Sequence, residues 1–407
     1  MAIFLEQLYT ETKNLYQLEL LSDTSGLQNI VNWVYITEDI VSSDFLSGNE
    51  LVITTGISVS ENPSWLKEFI QVLIRCHASG VIVNIGKYLF YEDITKDILD
   101  LCNQHHFPLM VMPWETRIIH ITKDYYHRIF EDTRSYENTL ALFHKALQGY
   151  ELSSLELTSL KEEHFTTNNF CISCMEITPK DATESFSLEE SFSFFYPFLL
   201  HQLSAAKKKT SQILNYHLSL FERQILMIFN VTDSSSLETC LSNLTAKTCV
   251  AFPKYQIGVS LSDTVSSVLQ LQTAYFQARA SLLMAKTNQQ NFYAYKDLGF
   301  IKILLDVKHT DILSDYVTDH LQPLITYDEK HHANLLETLS LYFKYHGSLQ
   351  RIAQAMFCHR NTVSYRLGLI KKLLSSSLSE EEQNFQLSTA LFIYDYLKIF
   401  HDFLSKQ

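Results

Sequence analysis

The run Gly80-Val-Ile-Val-Asn-Ile-Gly86 is apolar without alternation and closed by glycine at both ends. A strand with one wet face alternates, so this run reads as a strand covered on both faces. Its surroundings supply the covers. Val31–Ile36 and Glu50–Thr54 read as strands, and Pro108–Pro113 as another short buried one. Between them lie a helical stretch from Trp65 to His77, opened by Asn62-Pro63, and an amphipathic stretch from Ile94 to His105. Short strands separated by helices predict an α/β layer with a parallel sheet.

The chain has 407 residues, room for several cores. From Ile118 to Leu160 the pattern is helical, with apolar residues at Tyr126, Ile129, Tyr136, Leu140, Phe143 and Leu147. Those spacings suit a connecting helix packed on another helix, in this chain or a second copy. Phe170–Ile177, Gln224–Val231 and Ile257–Leu261 read as strands, Thr264–Thr287 as a long helix, and the last third as mostly helical. The serine patches at 234–236 and 375–377 read as loops. No internal repeat occurs.

The N-terminus has no basic n-region, and the longest uncharged stretch, Ser191–Ala206, is too short for the ~20 residues of a spanning helix. Seven scattered cysteines point to a reduced, cytoplasmic chain with no membrane contact. Cys171 and Cys174 sit three apart on a strand, so their thiols should face opposite ways and form neither a redox nor a metal pair. His105-His106 and His331-His332 read as incidental. We expect no metal and no cofactor.

The most specific segment runs from Gly347 to Leu374. Ser348 is placed to cap a short helix whose inner face is Ile352, Ala353 and Met356. After a turn at Phe357-Cys358, a second helix begins near His359 and buries Val363, Leu367, Ile370 and Leu374. This is the pattern of a helix-turn-helix, whose second helix enters the major groove of DNA. Arg360 and Asn361 stand where base readers stand, since Arg pairs with guanine and Asn with adenine. Thr362 and Ser364 can bond phosphate or base edges, Tyr365 can reach the backbone, and Arg366, Lys371 and Lys372 suit phosphate. The net charge of −13 argues against a chain that binds nucleic acid over its whole surface. Yet no acid occurs between Glu337 and Glu380, a stretch carrying +6, which leaves −19 on the rest.

His359-Arg-Asn-Thr-Val-Ser-Tyr-Arg-Leu367 resembles the C-terminal signature of the PucR family of bacterial transcriptional regulators. Leu336–Leu339 and Gln386–Leu391 fit the same domain, with Phe385–Leu397 as its closing helix. Asn32-Trp-Val34, Ser47–Gly56, Gly80–Gly86 and Phe107–Pro113 resemble that family's N-terminal sensory domain. Ile257–Ser260, Ala274–Ala280 and Tyr295–Gly299 are similar to its degenerate GGDEF-like middle domain. Leu369 stands where relatives often carry a basic residue, and Ser375-Ser-Ser377 where a glycine commonly follows.

The resemblance implies a multidomain chain. An α/β sensory domain would span 1–122, a helical linker 123–163, an α+β GGDEF-like domain 164–306 and an all-α helix-turn-helix domain 325–402. It implies a homodimer that binds double-stranded operator DNA and answers to a small molecule, with purine-derived compounds such as allantoin suggested by the family name. No Gly-Gly-Asp-Glu-Phe string occurs. A cyclase needs carboxylates for Mg²⁺ and a glycine turn for phosphate, so the middle domain reads as non-catalytic. The alternatives are a nucleotide-binding or cyclase-like signalling protein and a protein-interaction adaptor. Ligands of open parallel sheets bind at the carboxyl ends of the strands, which makes Thr54, Thr55, Gly56, Asn84, Gly86 and Trp114 the candidate effector residues.

Overall fold

The strands around Gly80 assemble into a five-stranded sheet in the computed structural model, which describes residues 3–39, 46–58, 64–181, 186–307, 309–374 and 380–404. In chain order the first elements are β1 (Ile3–Phe4), α1 (Leu5–Tyr16), β2 (Glu19–Leu20), β3 (Ile30–Val31), β4 (Trp33–Ile36) and β5 (Glu50–Thr54). Next come α2 (Trp65–Arg75), β6 (Gly80–Ile85), α3 (Lys96–Gln104), β7 (Leu109–Pro113) and α4 (Ile118–Leu147). The order β2-β7-β6-β5-β4 is parallel from β4 to β7, with β2 as an antiparallel edge absent from the sequence reading. Asn62-Pro63, expected to open α2, lies outside the described residues.

Alternate side chains of each strand enter different cores. Val52, Val81, Val83 and Val111 pack under α2 and α3, whereas Leu51, Ile53, Ile82 and Met112 pack under α1 and the first half of α4. Both faces are dry, which is why the strand pattern did not alternate.

The middle of the chain holds α5 (Ser154–Glu162), β8 (Phe170–Pro179), α6 (Leu188–Lys209), β9 (Ile213–Phe221), β10 (Gln224–Val231), α7 (Leu237–Ala251), β11 (Tyr255–Leu261), α8 (Leu271–Thr287) and β12 (Phe292–Ala294). Their sheet runs β12-β11-β8-β10-β9, antiparallel except between β11 and β12. Cys171 enters the core under α6 and α7, and Cys174 the core under α4 and α8. The thiols diverge, and burial pushes Cys171 up to about 11 and Cys174 higher still. Neither is a ready nucleophile at neutral pH.

Three expectations need correction. The helix foreseen from Ile118 to Leu160 is two, because Gly149 adopts φ +81° and Ser153 opens α5 with a reciprocal cap to Glu156. The apolar stripe of α4 serves sheets more than another helix: Ile121, Tyr125 and Ile129 enter the first core, and Phe143, Ala146 and Leu147 the second. The helix foreseen from Thr264 begins at Leu271, since Val265 exchanges backbone hydrogen bonds with Phe170 and Ser267 caps a short 3-10 turn. The strand β9 and helices α6 and α7 were not foreseen.

The chain divides into two compact units, one of residues 1–285 with 291–294, the other of 286–290 with 295–407. The second contains α9 (Ile301–Leu305), α10 (Asp311–His331), α11 (Leu335–Lys344), α12 (Leu349–Ala355), α13 (Arg360–Leu373) and α14 (Glu380–Leu404), and α10 packs along α14. The turn at 234–236 lies between β10 and α7, as foreseen, while 375–377 lies outside the described residues. No described helix is long and apolar enough to cross a membrane.

Candidate functional site

Ile352, Ala353 and Val363 are the buried centre of a small three-helix core, with Leu341 of α11, Tyr345 just after that helix, and Met356, Cys358 and Leu367 against it. The small side chain of Ala353 lets α12 and α13 approach. Met356 closes α12 with its N–H on Ile352 O at 2.9 Å, and Phe357 turns the chain with φ +50°. Cys358 N–H then reaches back to Ala353 O at 3.0 Å, completing the tight turn. His359 caps α13: its Nδ1 accepts from Asn361 N–H at 3.3 Å. Ser348 occupies the N-cap position of α12 as foreseen, but its hydroxyl makes no capping bond.

Arg360, Asn361, Ser364, Tyr365, Lys371 and Lys372 fall along one exposed stripe of α13, with Thr362 exposed beside it on the first turn. Tyr365 is 71% exposed. Arg366 stands apart, half-buried, its guanidinium against the Met356 sulfur at 3.7 Å. The stripe also includes Gly368, where an added Cβ would meet nothing within 4 Å. A mid-helix glycine costs about 1 kcal/mol relative to alanine, and the chain's own packing does not require it. The signal in the sequence was a glycine inside a helical run.

The effector candidates at the carboxyl ends of the first sheet are mostly engaged by other residues of the chain. Glu38, which the sequence did not single out, places its carboxylate in a nest after β5. Thr55 N–H and Gly56 N–H donate to it at 2.7 and 2.9 Å, and the Thr54 and Thr55 hydroxyls at 2.9 and 2.7 Å. Gly56 is required there, with φ +72° and a would-be Cβ 2.2 Å from Leu89. Asn84 is buried and donates to Pro113 O at 2.9 Å, and Gly86 N–H closes a turn on Leu89 O at 2.8 Å. Trp114 is half-buried, edge-on to Tyr88 at 5.6 Å, with Lys87 Nζ 4.5 Å from its ring centroid.

An α/β module with a parallel sheet and a second unit bearing a helix-turn-helix with a basic stripe define the class: an α/β domain joined to a helix-turn-helix motif of the kind that reads DNA. Comparison with known families makes this particular. Residues 9–129 match the purine catabolism regulatory protein-like family, and residues 335–393 match the PucR C-terminal helix-turn-helix domain. The purine catabolism regulatory protein of Bacillus subtilis (strain 168) is 32% identical over 118 residues, which is 29% of this chain and 22% of that protein. The proline-responsive transcriptional activator PutR of the same organism is 25% identical over 170 residues, 40% of this chain and 41% of that one. The matches thus span less than half the length of these curated relatives. A crystal structure of a regulator of polyketide synthase expression from Bifidobacterium adolescentis aligns over 62% of this chain and 95% of that one, at 18% identity and a TM-score of 0.27.

Proposed function

We propose that this chain is a sequence-specific, DNA-binding transcriptional regulator whose affinity for its operator responds to a small molecule. The observation that carries the reading is the exposed, acid-free stripe of α13 inside a match to the PucR C-terminal helix-turn-helix domain. Arg360 and Asn361 read base edges, Ser364, Tyr365, Lys371 and Lys372 hold the backbone, and Thr362 serves either. Arg366 keeps a phosphate role only at the rim, since it also packs on Met356. The protein acts as a homodimer, because one recognition helix reads few base pairs and a two-fold partner doubles them.

The middle sheet is a GGDEF-like domain without catalysis, and the chain is not an enzyme. Its β9–β10 hairpin turns through Glu222-Arg223, both at positive φ, with no glycine to expose backbone toward a phosphate. The names of the relatives, one for purine catabolism and one for proline, support a nitrogen-bearing metabolite as the effector class.

The deciding experiment selects bound genomic fragments in vitro and titrates the best one against salt. Operator binding weakens steeply as salt rises, roughly as the number of neutralised phosphates. An affinity for DNA that is absent or flat in salt assigns the terminal helices to a protein-docking role instead.

A further inference from the structure

A cavity of about 330 Å³ lies where the N-terminal segment, α4, the end of α5, α6 and β9 meet, all within the first unit. Lys207 of α6 is half-buried on its wall. Its Nζ donates to Asn215 Oδ1 at 3.0 Å, and among the described residues no carboxylate lies within ion-pair distance of it. Burial without a counter-charge pulls its pKa below the ordinary lysine range. Asp132 of α4 and Glu163 also line the cavity, so it carries charges of both signs.

The remaining wall is aromatic. Tyr136 stacks on His217 with ring centroids 4.4 Å apart, and Tyr196 stands on the α6 side. His217 is 4% exposed, and its Nε2 has no hydrogen-bond partner. A buried polar atom left unpaired is costly, and a hydrogen-bonding group on an incoming ligand would recover that cost.

We propose that this cavity binds a small zwitterion of the amino-acid type. The carboxylate sits on Lys207, the ammonium faces Asp132 and Glu163, and the side chain lies between Tyr196 and the Tyr136–His217 stack. The volume admits a ligand of that size. The sensory core, the connecting helix α4 and the middle sheet all contribute to the walls, so a ligand here touches each part of the unit at once. The site rests on the regulator reading only for its consequence at DNA.

The test screens the twenty protein amino acids against the full chain by thermal shift and follows hits by calorimetry. At least one is expected to raise the unfolding midpoint and bind stoichiometrically. Its carboxamide and its deaminated analogue should each bind at least tenfold more weakly, and so should Lys207→Gln. Ser204→Leu, which fills the cavity from α6 and leaves the charges alone, should abolish binding and shows the same loss without touching Lys207. If no amino acid binds, or if both variants keep the wild-type affinity, the proposal fails. DNA affinity measured on the same samples separates the two readings. Binding of an amino acid with DNA affinity unchanged keeps the site and removes its regulatory role; DNA binding with no amino-acid binding removes the site and leaves the regulator reading standing.

Discussion

Arg360 stands in the first turn of α13 and Lys371 in its last, both exposed, and their chemistries differ. A guanidinium at the head of a recognition helix can present two parallel donors to guanine, whereas an ammonium is a point charge suited to phosphate. Arg360→Ala is expected to cost about 1–3 kcal/mol of operator affinity and to relax preference at one base position. Lys371→Ala should weaken all sequences alike. Footprints and affinities on a panel of single-base operator variants separate the two; a uniform loss for Arg360→Ala would move it to the backbone class. These residues were legible in the sequence because each lies within one short segment. Glu38 was not, since its partners at Thr54–Ile57 are sixteen and more residues away and only the sheet brings them together.

Among the elements, α13 gives up intrinsic stability in one place. Gly368 on its outer stripe could be alanine without any clash inside the chain. Gly368→Ala should therefore stabilise the terminal unit by about 0.5–1 kcal/mol. If the stripe approaches a DNA backbone closely, the same change should weaken operator binding, so stability and affinity move in opposite directions. Thermal melts paired with binding titrations check this, and a stabilised variant with full affinity would place Gly368 away from the contact. The boundaries of the elements were the least legible part. Periodicity located α4 but not its end, because Gly149 and the Ser153 cap act over single residues inside a run that stays polar and helical. The start of α8 was hidden for a different reason. Val265 fits a helix by pattern, yet it pairs with Phe170 across a gap of more than ninety residues.

At the scale of the whole molecule, three histidines of the first unit carry lowered pKa values. Burial lowers His144, His201 and His217, the last to about 3, and nearby Lys247 and Lys208 add to the effect at His201. Unfolded, each takes a proton near pH 6.5, while folded they resist it. The unfolded state thus binds more protons below pH 6.5, and stability falls as pH falls through that window, continuing toward pH 3 for His217. His217 alone contributes a loss of about 2 kcal/mol by pH 5. Paired carboxylates such as Asp97 and Glu156, both held near 2, act only from the ordinary carboxylate range downward, whereas Asp132 and Asp395, raised by burial, take up protons on folding and oppose the histidines above that range, so the His217 share is read from a variant. Melting midpoints across pH 5–8 should fall on the acid side, and His217→Phe, which keeps a ring against Tyr136, should flatten the slope. An unchanged slope would show that His217 titrates as an ordinary histidine. The charge division belongs to the same scale: a segment of +6 without acids is set in a chain that otherwise carries −19, which on the proposed reading favours DNA contact at the helix-turn-helix alone.

By itself the sequence determined the parallel sheet near Gly80, the diverging cysteines, the helix-turn-helix and the residues on its outer face. Each of these follows from a local period: unbroken apolar runs in doubly covered strands, two-fold alternation along β8, and three-to-four spacing along α13. The tertiary structure alone decided that α4 belongs to two cores, that Glu38 fills the nest after β5, and that Lys207, His217 and Glu163 share a cavity. Those arrangements join residues far apart in the chain. No local period encodes them, because they depend on how sheets and helices already formed are packed together.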